Sequence, residues 1–257
     1  MCLIVFAWRA HPHYRLVLAG NRDEFHSRPA APLGWWADAP EVLGGRDLQA
    51  GGTWLAMARS GRFATVTNYR EDLRPQSGLR SRGELVTRFL GAEENALAFA
   101  AALDGRYAGF SLLAATLSGD GELVYVSNRG DAPRVLAPGV YGLSNASLDT
   151  PWPKLVRAKA RLERVLAEGV GVDPLLALLA DREPGSPDDI ADAIADDLPQ
   201  PTLRAIAAPF VVTPAYGTRC STVVLARNDG YITLHERRFD PAGLPLGDTR
   251  KDFHLAA

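Results

Sequence analysis

Five polar residues stand at the ends of apolar runs, and each is of a type used in acyl transfer. Cys2 opens the run 3–8, Asp23 follows 14–19, Asn68 closes 63–67, Asn145 follows 140–143, and Arg219 enters 221–226. A cysteine at the start of a chain carries its own base. Removal of Met1 is favoured by a small second residue, and it would leave Cys2 with a free α-amine of pKa about 7.7–8.0 beside its thiol. The thiolate is the nucleophile. Asp23 suits a carboxylate that orients the amine and thiol. Asn68 and Asn145 suit amide donors to an oxyanion, each such donor lowering a barrier by roughly 3–4 kcal/mol. Arg219 suits a cation beside the thiol or a substrate carbonyl.

Each residue also has a plainer reading. Cys2 is equally a small hydrophobe opening a strand, Asp23 an ion-pair partner of Arg22, the asparagines turn residues, and Arg219 a rim arginine. The chemical reading requires that the fold bring these strand ends together, because loops at strand ends are where rigid scaffolds carry function.

The elements that must do so are legible in outline. Runs 3–8 and 14–19 flank a His-Pro-His turn and form a hairpin; 53–58 and 63–67 form a second. Residues 83–103 have helical spacing. Strands resume at 110–117, 122–127 and 140–143, and a helix over 152–166 carries Pro153 in its first turn. Short helices are expected at 173–180 and 187–195 within or beside a Pro- and acid-rich excursion, 183–209. Strands 221–226 and 231–238 meet at Asn-Asp-Gly and close the chain. Hairpins dominate, so the sheets should be antiparallel with helices on their outer faces. The expected fold is α+β: a four-layer αββα sandwich of two antiparallel sheets, in one domain over 1–257.

Composition narrows the classes. The 257 residues suffice for one large domain. A net charge of −2 gives no pull toward nucleic acid or anionic membrane. No apolar run is long enough to span a bilayer, and the N-terminus meets Arg9 too early for a secretion signal. Two cysteines, Cys2 and Cys220, make no disulfide framework or thiolate metal site. Glu24, His11, His13 and His26 match no ligand spacing. A cytoplasmic protein with no cofactor or metal is expected, and its oligomeric state is left open. The Trp35–Trp36 pair, in the Pro- and Gly-rich stretch 29–45, is expected to line or cover a substrate pocket; Trp54 reads as core. Alternation along a strand turns Cys220 away if Arg219 faces the site, so no Cys2–Cys220 disulfide is expected. The same alternation puts Asn21 and Asp23 on one face of the second strand and Arg22 and Glu24 on the other. Asp23 then faces Cys2 across the first hairpin with Asn21 as its support, and Arg22 and Glu24 are the structural pair, bonding to the neighbouring loop.

The motif "GNRDE" at 20–24, with Met1-Cys2, resembles the NRDE-motif family. "GGTWLA" at 51–56, "TNYR" at 67–70, "GLSN" at 142–145 and "YGTRCST" at 216–222 carry the likeness over nearly the whole chain. That family is in turn similar to the cysteine N-terminal-nucleophile hydrolases. The resemblance implies Cys2 as nucleophile, Asp23 as its carboxylate, Asn68 and Asn145 near the oxyanion and Arg219 beside the thiol. It implies cleavage of a linear non-peptide amide, an N-acyl compound. It also implies an alternative, a non-catalytic carrier of haem, acyl-CoA or a lipid-like ligand on the same fold. One departure is visible. The hydrolases carry an arginine three positions before the aspartate, where this chain has Gly20; if Arg22 replaces it, a bulge or twist must turn Arg22 toward Cys2.

Overall fold

A computed structural model describes residues 2–70, 78–130, 132–184 and 200–256. Thirteen strands among them form two antiparallel sheets. In chain order they are β1 (Leu3–Trp8), β2 (Tyr14–Phe25), β3 (Ala30–Trp35), β4 (Val42–Asp47), β5 (Leu55–Ala58) and β6 (Arg62–Asn68). After the helices α1 (Gly83–Leu90) and α2 (Ala96–Ala101) come β7 (Phe110–Thr116), β8 (Leu123–Ser127), β9 (Arg134–Val135) and β10 (Gly139–Leu143). Helices α3 (Pro153–Glu168), α4 (Val172–Leu179) and α5 (Gln200–Ile206) precede β11 (Tyr216–Arg227), β12 (Tyr231–Phe239) and β13 (Pro245–His254). One sheet has the order β10-β1-β2-β11-β12-β13, the other β3 through β9 in sequence.

Alternation along each strand divides three apolar layers. Between the sheets lie Ile4, Phe6, Trp8, Leu16 and Leu18 of the first sheet, packed on Leu43, Leu55, Met57, Phe63 and Leu113 of the second. The opposite face of β1 and β2 (Leu3, Val5, Ala7, Val17, Ala19) is covered by Leu155, Ala158 and Leu162 of α3 and by the leucines of α4. The outer face of the second sheet carries Ala56, Ala64, Leu112 and Ala114, small enough for Leu85, Phe89 and Phe99 of α1 and α2 to seat on it. This is the expected αββα sandwich. No helix among the described residues is long and apolar enough to cross a membrane.

Three differences from the expectation have physical causes. Strand β2 does not stop at Ala19 but runs to Phe25, because β11 pairs with it through Tyr216–Phe25. The helical stretch 83–103 is two helices, broken at Gly91 and restarted where the Asn95 side chain caps the Ala98 N–H at 2.8 Å. Stretch 29–45 holds β3 and β4, with Pro32 tolerated at an edge strand whose register breaks between Ala31 and Gly34. The closing edge strand β13 gave no apolar signal, since it is largely exposed. The expected helix at 187–195 lies outside the described residues.

The "GG" before Thr53 is a point of close approach. A Cβ on Gly52 would lie 2.6 Å from the Gly83 carbonyl carbon, and the Thr53 N–H donates to the Gly83 oxygen at 3.2 Å. That contact fixes where α1 begins relative to β5. Gly52→Ala is expected to lower stability by about 1–3 kcal/mol, because backbone rather than a flexible side chain must move. Urea denaturation of the variant checks this; an unchanged midpoint would show that the approach carries no strain.

Candidate functional site

The site is built where β1, β2, β11 and β12 lie side by side. Leu3 pairs with Asn21, so Cys2, one step further, stands level with Arg22. Arg22 pairs on its other side with Cys220, and Cys220 with Arg238. Four neighbouring strand positions thus present thiol, guanidinium, thiol and guanidinium in one row. All four residues line a cleft of about 180 Å³ between the sheets. The row exists because of a β-bulge. Thr218 pairs with Asp23 but Cys220 with Arg22, leaving Arg219 as the extra residue on β11.

The bulge corrects the alternation argument made from sequence. Arg219 and Cys220 both line the cleft, so Cys220 does not face away. The two cysteines are nonetheless free. The reason is spacing: two strand separations put their Cα atoms roughly 10 Å apart, beyond disulfide reach. Cys220 hydrogen-bonds Glu236, whose Oε1 accepts the Leu33 N–H at 2.8 Å; burial and then Glu236 push this thiol far up.

Cys2 is buried, and burial raises its thiol above the ordinary value. The Asp23 backbone N–H, bonded to the sulfur, and the Arg22 charge work the other way. The Ser144 hydroxyl donates to the Cys2 carbonyl at 2.9 Å and fixes the peptide. Arg22, on the inter-sheet face that Leu18 and Gly20 share, stands level with Cys2 by plain alternation along β2; the bulge lies on β11 opposite it, so no bulge or twist of β2 turns Arg22 to Cys2, and the expectation that Asp23 holds that face is corrected. The Arg22 pairing with Glu24 is loose, at 3.6 Å. Gly20 leaves little room for the upstream arginine: a Cβ there would lie 3.2 Å from Ile4, the Leu3 oxygen and the Trp54 ring, so these neighbours would have to give way. The Trp54 indole, reaching across from the entry to β5, fills that space and lines the cleft.

Arg219 lines the same cleft as Cys2. Its Nη1 donates to the carbonyls of Phe25, His26 and Arg28 at 2.8, 3.2 and 3.2 Å. It clamps the turn after β2 at the cleft rim.

Asn21 and Asp23 share the helix-side face, as alternation required. Asn21 is fully buried, donating to Leu179 and Pro209 carbonyls at 2.9 Å and accepting from Ser221 at 2.6 Å. It ties β2 to the end of α4. Asp23 accepts from the Thr218 hydroxyl at 2.7 Å, and Tyr216 donates to its carbonyl at 3.0 Å. Burial raises the Asp23 carboxyl to about 6, against the pull of Lys154, Thr218 and Arg22.

Asn68 lines the cleft at the end of β6. Asn145 does not. It adopts a left-handed conformation (φ 55°), and its side-chain amide donates to the Asn68 carbonyl at 3.0 Å. It braces Asn68 from a second, small cavity shared with Ser144, Trp152 and Lys154. Trp35 and Trp36 do not line the cleft, which corrects their assignment. Trp35 packs edge-on to Phe253 under Arg59, and Trp36 donates to the Gly44 carbonyl at 3.1 Å under Arg46. Once 29–45 is a hairpin rather than a loop, both rings are taken up by its own packing.

Sequence reasoning missed Lys154. Its signal was present: in α3 it sits beside the apolar stripe Leu155, Ala158 and Leu162, where a lysine is out of place. It also missed Glu236 and Arg238, which alternation alone marks no more than other polar positions.

A family profile described as Transport and Golgi organisation 2 matches residues 1–241. The bovine Transport and Golgi organization protein 2 homolog is 41% identical, over 92% of both chains, and the human homolog 40%, over 97% of both. The Drosophila melanogaster protein of that name is 28% identical over 95% of both. Among solved structures, the Caenorhabditis elegans ortholog of N-acylethanolamine-hydrolyzing acid amidase aligns with a TM-score of 0.50 at 10% identity, over 87% of this chain and 92% of that one. That likeness speaks to the fold, an N-terminal-nucleophile hydrolase architecture. The chain belongs to the Transport and Golgi organisation 2 family.

Proposed function

We propose that the protein is an N-terminal-nucleophile amidohydrolase that cleaves a linear, non-peptide N-acyl amide. The observation that carries this reading is the Cys2 sulfur at the floor of an open cleft, held by the Asp23 N–H and faced by Arg22. In the proposed reaction Met1 has been removed. The Cys2 α-amine takes the thiol proton, and the sulfur attacks the amide carbonyl. Oxyanion charge is met by the Asn68 side-chain amide and Arg22. The amine returns the proton to the leaving nitrogen as the C–N bond breaks. Water, activated by the same amine, then hydrolyses the thioester. Asp23 orients the amine. The fold neighbour named for N-acylethanolamine hydrolysis cleaves a bond of this class, which is consistent with the choice of substrate. A cytoplasmic setting fits two free thiols.

One observation favours a second reading, a carrier of acyl-CoA or another anionic lipid-like ligand. Six arginines (22, 28, 46, 82, 219 and 238) line the cleft, and the Arg238 Nε is buried with no hydrogen bond among the described residues. Guanidinium groups suit phosphate and carboxylate.

The two readings separate on one residue. Cys2→Ser is expected to lose turnover on a panel of N-acyl amides at least 100-fold, on the order of 3 kcal/mol, while keeping its thermal midpoint. Intact mass of the protein from cells should lack Met1. Retained Met1, or unchanged turnover in the variant, sinks the hydrolase; acyl-CoA binding by calorimetry would then decide for the carrier.

Asp23 gives a stability signature. Its folded value of about 6 lies above the ordinary 3.8, so the folded state holds the proton more tightly. Folding stability therefore falls as pH rises from about 4 through 6, and ionised Asp23 costs about 3 kcal/mol above that window. Asp23→Asn removes this fall. The difference in urea midpoint between variant and wild type should climb from pH 4 to 6 and flatten above 7. A pH-independent difference would mean that Asp23 is not held in this state.

A further inference from the structure

The cleft holds more positive charge than the reaction above uses. Arg22 meets the oxyanion in that reaction, and four of the other arginines that line the cleft are committed to protein groups. Arg28 donates to Asp47 at 2.8 and 2.6 Å, and Arg46 to Asp38 at 2.6 and 2.8 Å. Arg82 donates to the Gly109 carbonyl at 3.2 Å, and Arg219 holds the turn after β2. Arg238 differs. Among the described residues its side chain has no hydrogen bond and no ion pair, and its Nε is shut off from solvent. A buried donor left unpaired costs free energy, more so on a charged group. An anion bound there would remove that cost and gain a fork of parallel hydrogen bonds.

The surroundings suit such a group. Alternation along β12 puts Arg238 between the sheets, on the face of Ile232 and Leu234. A register shift between Arg238 and Phe239 leaves Leu246 as an extra residue on β13, and both Phe239 and Leu246 line the cleft. Glu236 shares the face but makes no ion pair with Arg238; its Oε1 accepts the Leu33 N–H at 2.8 Å. Arg238 also stands at the far end of the row that begins at Cys2. Three strand separations put the two Cα atoms roughly 14 Å apart. The arginine stem covers part of that gap. The remainder is the length of a chain of several atoms, lying over Arg22 and over the Cys220 thiol, which burial and Glu236 keep in its neutral form.

We propose that Arg238 is an anion subsite, and that the cleft takes a linear amide carrying a carboxylate or similar anion several bonds from the scissile carbonyl. The proposal deepens the hydrolase reading and rests on it for placing that carbonyl at Cys2. An anion one carbon from the amide nitrogen would stop short, at Arg22. A neutral amide would leave Arg238 unpaired.

The test is calorimetric binding to the Cys2→Ser protein, in which no probe is turned over. The long charged probes are N-butanoyl-6-aminohexanoate, with its anion on the amine side, and the N-butyl monoamide of heptanedioate, with its anion on the acyl side. At least one should bind about tenfold or more tighter than neutral N-butanoylhexylamine and than N-butanoylglycine. Which one does so tells on which side of the amide the anion lies. Adding Arg238→Gln should bring that probe down to the neutral one and leave the neutral one within about twofold. It should not lower the thermal midpoint, since the side chain has no partner to lose. Equal binding of charged and neutral probes, no binding of either long charged probe, an equal gain for N-butanoylglycine, or a preference that survives Arg238→Gln overturns the proposal. Should Arg238→Gln not fold, Arg238→Lys decides. It keeps a charge without the fork and should lose roughly threefold or more of the preference; an unchanged preference overturns the subsite. The hydrolase reading fails separately: charge preference without turnover by the Cys2 protein sinks that reading and leaves the subsite in place.

Discussion

The register of three strands governs this molecule. β1 and β11 both pair with β2, and one extra residue on β11 lets Asp23 meet Thr218 while Arg22 meets Cys220. Without that bulge the row across the sheet would slip by one position. A slip of one residue in a strand exchanges its faces. Cys220 or Arg22 would then turn toward the helices, and Asn21 would lose the carbonyls that it ties together. The buried bonds of Asn21, Thr218 and Ser221 fix this register, so the site's geometry is held by polar groups that are not in the cleft.

The same strand therefore serves two layers. Gly20, Arg22 and Glu24 look between the sheets, while Asn21 and Asp23 look toward α3 and α4. Asp23 acts on Cys2 through its backbone N–H from one side and through its charge from the other. Burying that charge lowers stability.

The local features were legible in the sequence and the non-local ones were not. The first hairpin, the face division of Asn21 through Glu24, the two helical regions and the αββα layering follow from short-range periodicity. The continuation of β2 to Phe25 depends on pairing with a strand nearly 200 residues away, and no local pattern encodes it. The bulge at Arg219 has the same origin, and it turned a sound alternation rule into a wrong orientation for Cys220. Trp35 and Trp36 misled because proline and glycine suggested a loop where an edge hairpin forms. Trp54 misled in the opposite sense, since core and cleft wall are continuous at Gly20. Cys2, Asp23 and Asn68 could be singled out because strand ends are readable, and the fold brings the three to one cleft.

The row Cys2, Arg22, Cys220, Arg238 draws one residue from each of four adjacent strands. No two of these residues are neighbours in sequence, and each backbone is held by its own ladder. A change of side chain at one position thus leaves the others in place. Such a floor behaves like a keyboard of four independent keys on a fixed frame. Nucleophile, charge and polarity can be exchanged one at a time during divergence, so proteins that share this frame are free to differ in reaction, or to have none, while keeping the same cleft.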